Sequence, residues 1–256
     1  MDFFWSVAHH FRLGSKQYHP NILFVKDNGK TQELYAAAED LPPIPANHVR
    51  IVCMSDTHMR HGLVVCPQGD IFCHTGDILF EGRHYSSSAC EKHYQEFNNW
   101  LSAIPCANKI VIAGNHDVHL ERIGTKAAAQ LLSNATYLCN SSVSFHGLRF
   151  FGSPISVGSS LNSSFQSDSH VMDFYSQVQS VQYDIMLTHG PLPKETVARL
   201  APQVHVWGHI HGRYGARQHV RDSTTWASIC ACTLDGSYDA THGAVVLDVP
   251  APARES

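Results

Sequence analysis

The sequence predicts a layered α/β domain whose strands are buried on both faces. Two patterns predict it. Five short apolar runs, rich in β-branched residues, each stop at an Asp, Asn or His, and runs of this kind read as strands. Amphipathic stretches follow the second and third runs, and the order β–loop–β–α–β–α argues for strands joined by crossover helices. The length agrees: 256 residues with 43% apolar content suffice for one large domain with a sizeable core.

Taken in order, residues 1–47 are mixed and polar and end in the Pro-rich stretch 41–46, so they are expected to form an N-terminal extension packing on the domain, with a strand near 22–25. The body, 48–256, opens on a strand at 48–53. After the second strand, Tyr94, Phe97, Leu101 and Ile104 recur at steps of three and four, predicting a helix over 89–104 that Pro105 ends. A second helix is expected near 120–133. Two runs flanking His146-Gly147 predict a hairpin over 142–152. The Ser-, Gly- and Asn-rich stretch 153–170 predicts a long loop, followed by a short helix near 171–180. Segments 225–232 and 243–249 are expected to close a second sheet.

Composition narrows the function. The formal net charge is −4, so there is no cationic excess for a polyanion, which weighs against a nucleic-acid partner. Eight cysteines include no Cys-x-x-Cys pair, and Cys53, Cys73 and Cys230 fall in predicted core strands. They read as small buried hydrophobes in a reducing compartment, and the expected location is cytoplasmic. The start lacks the basic and long apolar regions of a secretion signal, and no segment approaches a membrane span.

The strand ends carry the chemistry. Asp56-Thr57-His58 sets two ligand-type side chains on one side of an extended chain. Gly76-Asp77 offers a carboxylate able to bridge two cations. Gly114-Asn115-His116-Asp117 combines an amide oxygen with an imidazole able to coordinate or move a proton. His189 ends the fourth run, and Gly208-His209-Ile210-His211 repeats the same-side spacing with two imidazoles. Each pattern alone reads as well as a turn or a helix cap. Five of them, all at strand ends, point to a metal centre on the rim where open α/β sheets place their sites.

In this order the motifs resemble those of the calcineurin-like metallophosphoesterase superfamily, across residues 51–211. The runs Gly69-Asp-Ile-Phe-Cys-His-Thr-Gly-Asp77, Lys109-Ile-Val-Ile-Ala-Gly-Asn-His116, Asp184-Ile-Met-Leu-Thr-His-Gly-Pro191 and Val204-His-Val-Trp-Gly-His209 resemble the metallophosphoesterase-domain-containing (MPPED, 239FB-type) branch, over roughly 200 residues. The resemblance implies a four-layer α-β-β-α sandwich of two mixed sheets flanked by helices. It implies one metal held by Asp56, His58, Asp77 and His211, and a second held by Asp77, Asn115, His189 and His209. Two departures stand out. Asp117 occupies a place where the branch typically carries Glu, and His209 is present where some vertebrate members have Gly.

Nitrogen and oxygen ligands without thiolate suit two divalent ions, Mn²⁺ first, with Fe or Zn²⁺ as alternatives. Such a pair, about 3.5–4 Å apart, activates a water and clamps phosphoryl oxygens. His116 is the expected general acid, with Asp117 orienting it. Arg60, Asn115 and His116 are the expected substrate contacts, and Arg213 is a weaker one. The expected function is a phosphodiesterase acting on small phosphoesters such as cyclic nucleotides. The alternatives are a phosphomonoesterase or protein phosphatase on the same scaffold, and a nucleotide-binding scaffold protein of little activity.

Overall fold

The computed structural model describes residues 21–80, 85–157, 164–166, 171–178 and 183–252. The strands are β1 (Ile22–Lys26), β2 (Thr31–Tyr35), β3 (His48–Met54), β4 (Gly69–His74), β5 (Cys106–Val111) and β6 (Thr136–Tyr137). They continue with β7 (Ser141–Phe145), β8 (Leu148–Ser153), β9 (Ile185–Thr188), β10 (Val204–Trp207), β11 (Gly215–Arg221), β12 (Thr224–Cys230) and β13 (Val245–Pro250). The α-helices are α1 (Ser87–Ala103), α2 (Val118–Leu131), α3 (Val171–Gln177) and α4 (Lys194–Leu200).

Period-two burial builds the layers. In β3, Ile51 and Cys53 face one core while Val52 and Met54 face another, and all four are fully buried. The first core lies between the sheets and joins Ile71, Ile110 and Ile112 to Phe150, Leu187, Val206 and Ile229. The second sets Phe72 and Val111 against Tyr94, Phe97 and Leu101 of α1 and Leu120 of α2. A third covers the far side of the second sheet, with Phe151, Met186 and Trp226 against Tyr175 of α3 and Val197 and Leu200 of α4. The result is the expected α-β-β-α sandwich. Burial on both faces is why its strands carry almost no polar alternation.

One sheet has seven strands in the order β2-β1-β13-β3-β4-β5-β6, and the other six in the order β11-β12-β10-β9-β8-β7. Strands β3 to β6 run parallel, as do β8, β9, β10 and β12, so their carboxyl ends share a rim.

One expectation is corrected here. Strand β13 does not close the second sheet. It inserts into the first, between β1 and β3, where Val245 and Val246 are fully buried. Within the expected N-terminal extension, β1 and β2 pack on the domain by joining this sheet. Strand β1 runs parallel to β13 with buried Leu23, Phe24 and Val25, and β2 forms the sheet edge. Residues 1–20 of the expected extension lie outside the described residues, as do 158–163 and 167–170 of the expected long loop.

The predicted helices and the hairpin are present with shifted ends. Helix α1 starts two residues early because Ser86 Oγ accepts from Ala89 N at 3.3 Å. The hairpin turns through His146 and Gly147, both at positive φ, as a two-residue turn of this hand requires.

Candidate metal centre

Every motif residue expected to hold metal converges on the shared rim. Three groups of ligand atoms lie within 4.8 Å of one another: Asp56, His58 and His211; His58, Asp77 and His116; Asp77, His189 and His209. Asp77 belongs to two of them, and its two oxygens diverge. Oδ1 lies 3.3 Å from His189 Nε2, whereas Oδ2 lies 3.8 Å from His58 Nε2. Asn115 Oδ1 sits 2.8 Å from both His189 Nε2 and His209 Nδ1.

The backbone at this rim is strained. Asp56, His58, Asp77 and His209 all adopt left-handed φ between 41° and 68°. Non-glycine residues hold that conformation only where the surroundings over-determine it, as functional sites do. The motif glycines have a steric reason. A Cβ on Gly114 would overlap Asp77 Oδ1 and the His189 ring, and one on Gly208 would overlap Ser55 Oγ and Asp56 Oδ2.

Outer contacts fix how each ligand points. His58 Nδ1 lies 2.8 Å from the Leu79 carbonyl, His189 Nδ1 2.9 Å from that of Thr75, and His211 Nδ1 2.9 Å from that of Asp235. A carbonyl only accepts, so each Nδ1 carries a proton and each Nε2 points inward as the atom that would coordinate. His58 Nε2 and His211 Nε2 face each other at 3.3 Å, with Asp56 Oδ1 also 3.3 Å from His211. Imidazole nitrogens and a carboxylate gathered in this way are a donor set that fits a divalent metal. Asp56 is steadied by His209 N at 2.9 Å, by Cys232 Sγ at 3.2 Å and by the Ser55 hydroxyl.

The buried carboxylates favour a proton on His189 and His211, which a bound cation would displace. Burial by itself would raise the Asp77 carboxyl, but the His189 and His116 imidazoles hold it well below the usual carboxylate range. For His189, burial lowers the pKa and is outweighed by the charge of Asp77, which raises it to about 9. His58 is lowered to about 4, mainly by burial, so its imidazole is neutral and able to coordinate.

His116 is at the centre but held differently. Its Nδ1 bonds the Phe80 carbonyl, and its Nε2 lies 3.9 Å from Asp77 Oδ2. Its backbone N donates to Asp77 Oδ1 at 2.8 Å. Asp117 does not orient the His116 ring. Its fully buried carboxylate accepts from Gly114 N at 2.8 Å, Ile78 N at 3.1 Å, Leu79 N at 3.2 Å and the Tyr94 hydroxyl at 3.0 Å. It ties the loop after β4 to the loop after β5. Burial, then the Asp77 charge, push its pKa up to about 6, while those donors restrain the rise.

Arg60 stands at the rim with its guanidinium 3.6 Å from the exposed carboxylate of Asp239. That places it beside the turn at 235–239, whose Tyr238 ring lies 5.1 Å from the His58 ring and 4.8 Å from the His211 ring, centroid to centroid. Arg213, in the short turn His211–Arg213, is exposed and lines a cavity on the outer side of the second sheet. Sequence reasoning missed Ser55, Phe80, Cys232, Asp235 and Tyr238. Ser55 adjoins a motif and was within reach of it. The turn carrying Asp235 and Tyr238 has no periodic context, and only the crossing from β12 to β13 brings it over the site.

Comparison with known proteins agrees with the geometry. The family model described as calcineurin-like phosphoesterase matches residues 49–213, more than half of the chain. UPF0046 protein C25E10.12 of Caenorhabditis elegans is 27% identical over 248 residues, covering 82% of this chain and 84% of that protein. Human metallophosphoesterase domain-containing protein 1 is 29% identical over 254 residues, covering 82% of this chain and 74% of that protein. The resemblance first seen in the motifs is thereby borne out.

Proposed function

Because the chain belongs to the calcineurin-like phosphoesterase family, we propose that this metal-dependent phosphoesterase is a dinuclear phosphodiesterase acting on small phosphodiesters, cyclic nucleotides among them. The observation that carries the dinuclear reading is the divergence of the Asp77 oxygens toward two half-sites. Asp56, His58, Asp77 and His211 would hold one ion, and Asp77, Asn115, His189 and His209 the other. Their nitrogen and oxygen donors suit Mn²⁺, with Fe or Zn²⁺ as substitutes. When bound, the two cations supply positive charge to phosphoryl oxygens and acidify a water for in-line attack.

The chain's own groups do the rest. His116 acts as the imidazolium: its Nδ1–H stays on the Phe80 carbonyl, and the second proton, on Nε2, passes to the departing alkoxide and leaves the neutral ring. The same bond keeps the ring from turning that proton away. The Asn115 amide, next in sequence, faces the phosphoryl group. Arg60 exchanges its long contact with Asp239 for a phosphoryl oxygen, and exposure of that carboxylate makes the exchange inexpensive. Eight cysteines that form no disulfide among the described residues support a reducing, cytoplasmic setting. Among the described residues no helix is long and apolar enough to cross a membrane.

The test is turnover with Mn²⁺ on bis-p-nitrophenyl phosphate, cyclic nucleotides, alkyl phosphodiesters and phosphomonoesters. His116→Ala is expected to retain metal and lose about 10²–10⁴-fold on alkyl diesters, but far less on the nitrophenyl ester, whose leaving group barely needs a proton. Equal losses on both would remove His116 from the acid role. Activity confined to monoesters would replace the diesterase reading with the phosphatase one.

A further inference from the structure

On the outer side of the second sheet lies a cavity of about 250 Å³ whose lining includes Pro191 and Ile210, next to the metal-binding loops, but no metal ligand. Its floor is aromatic. Trp207 is half-buried, and its indole is fixed by Nε1 donating to Ser228 Oγ at 2.9 Å. Trp226 is buried, with the His219 ring 5.3 Å from it, centroid to centroid. Leu192 closes an apolar wall, and the exposed cations Lys194 and Arg213 stand at the mouth. Among the described residues lining the cavity there is no carboxylate. Burial, with Lys194 and Arg217, lowers the His219 pKa, so its ring is a neutral wall and leaves the two cations to set the charge.

An aromatic floor favours a flat π-system, which stacks on an indole face. Two exposed cations lining the cavity favour an anion attached to it. The volume falls below the range of about 300–1,000 Å³ usual for drug-sized ligands, so the buried part is no larger than a heterocyclic base. We propose that this cavity is a second binding site, for a small planar aromatic monophosphate whose ring lies on Trp207 and whose phosphate meets Lys194 and Arg213. It does not depend on the reaction at the metal centre, since no metal ligand lines it.

The test is tryptophan fluorescence of the full chain with Mn²⁺, titrated separately with AMP, adenosine and inorganic phosphate. AMP should quench saturably and bind at least tenfold more tightly than adenosine or phosphate. The double variant Lys194→Glu, Arg213→Glu, both on the surface, should weaken AMP at least tenfold, while Asp77→Asn should leave it within about twofold. Absence of a saturable quench overturns the proposal, as does adenosine binding as tightly as AMP. So does a quench lost in Asp77→Asn and kept in the double variant, which would assign AMP to the metal cleft.

Discussion

Asp77 belongs to ligand clusters on the side of each half-site, with His58 in one and with His189 and His209 in the other. If its oxygens bridge, Asp77→Asn should empty both metal positions, and metal analysis that finds one ion fully retained would argue against a bridge. Ser55 tests the outer contacts. Its hydroxyl and the Cys232 thiol share Asp56 Oδ2, and outer partners of this kind are worth about 10–100-fold in metal affinity. Ser55→Ala should therefore weaken metal binding by that order, measured by competition with a chelator, while leaving the fold intact. Asp117 separates positioning from catalysis. Asn in its place accepts through one oxygen only, so Asp117→Asn should lower the melting temperature without changing how rate depends on leaving group. A changed dependence would restore Asp117 to the catalytic machinery.

Strand β10 shows how an element serves two roles through its alternation. Val204 and Val206 enter the core between the sheets, while His205 points outward and meets Thr188 Oγ1 at 2.7 Å. Thr188 passes that contact to the Gly190 carbonyl at 2.7 Å, shaping the loop that presents His189. Beyond β10 the chain turns at Gly208, where any side chain would collide with Ser55 and Asp56. Gly208→Ala is expected to cost about 1–3 kcal/mol through overpacking and to displace Asp56. A lowered thermal midpoint together with reduced metal content would bear this out, and an unchanged protein would refute it.

For the molecule as a whole, the buried histidines make stability depend on acid. His74 and His205 are each lowered to about 3, chiefly by burial, from an ordinary value of 6.5. Between those values the unfolded chain binds more protons than the folded one. Stability is thus fully present above pH 6.5 and is lost as pH falls toward 3, at up to about 1.4 kcal/mol per pH unit for each histidine. His205→Gln, which retains a donor for Thr188, should reduce the fall in urea stability between pH 6 and pH 4 by about that amount per unit. An identical pH profile would show that His205 takes up its proton without unfolding.

Sequence alone determined the strand ends and the candidate ligands they carry. A run buried on both faces is mostly apolar, so the ligand-type residues just past its end mark the rim, and Asp56, Asp77, Asn115, His189 and His209 stood out for that reason. Helix α1 was equally legible from its 3.6-residue period. Other assignments were made by the tertiary structure: β13 to the first sheet, β1 and β2 to its edge, and Tyr238 and Asp235 to the site. An apolar strand fits either sheet equally well, and only the pairing of distant segments decides which neighbour supplies its hydrogen bonds.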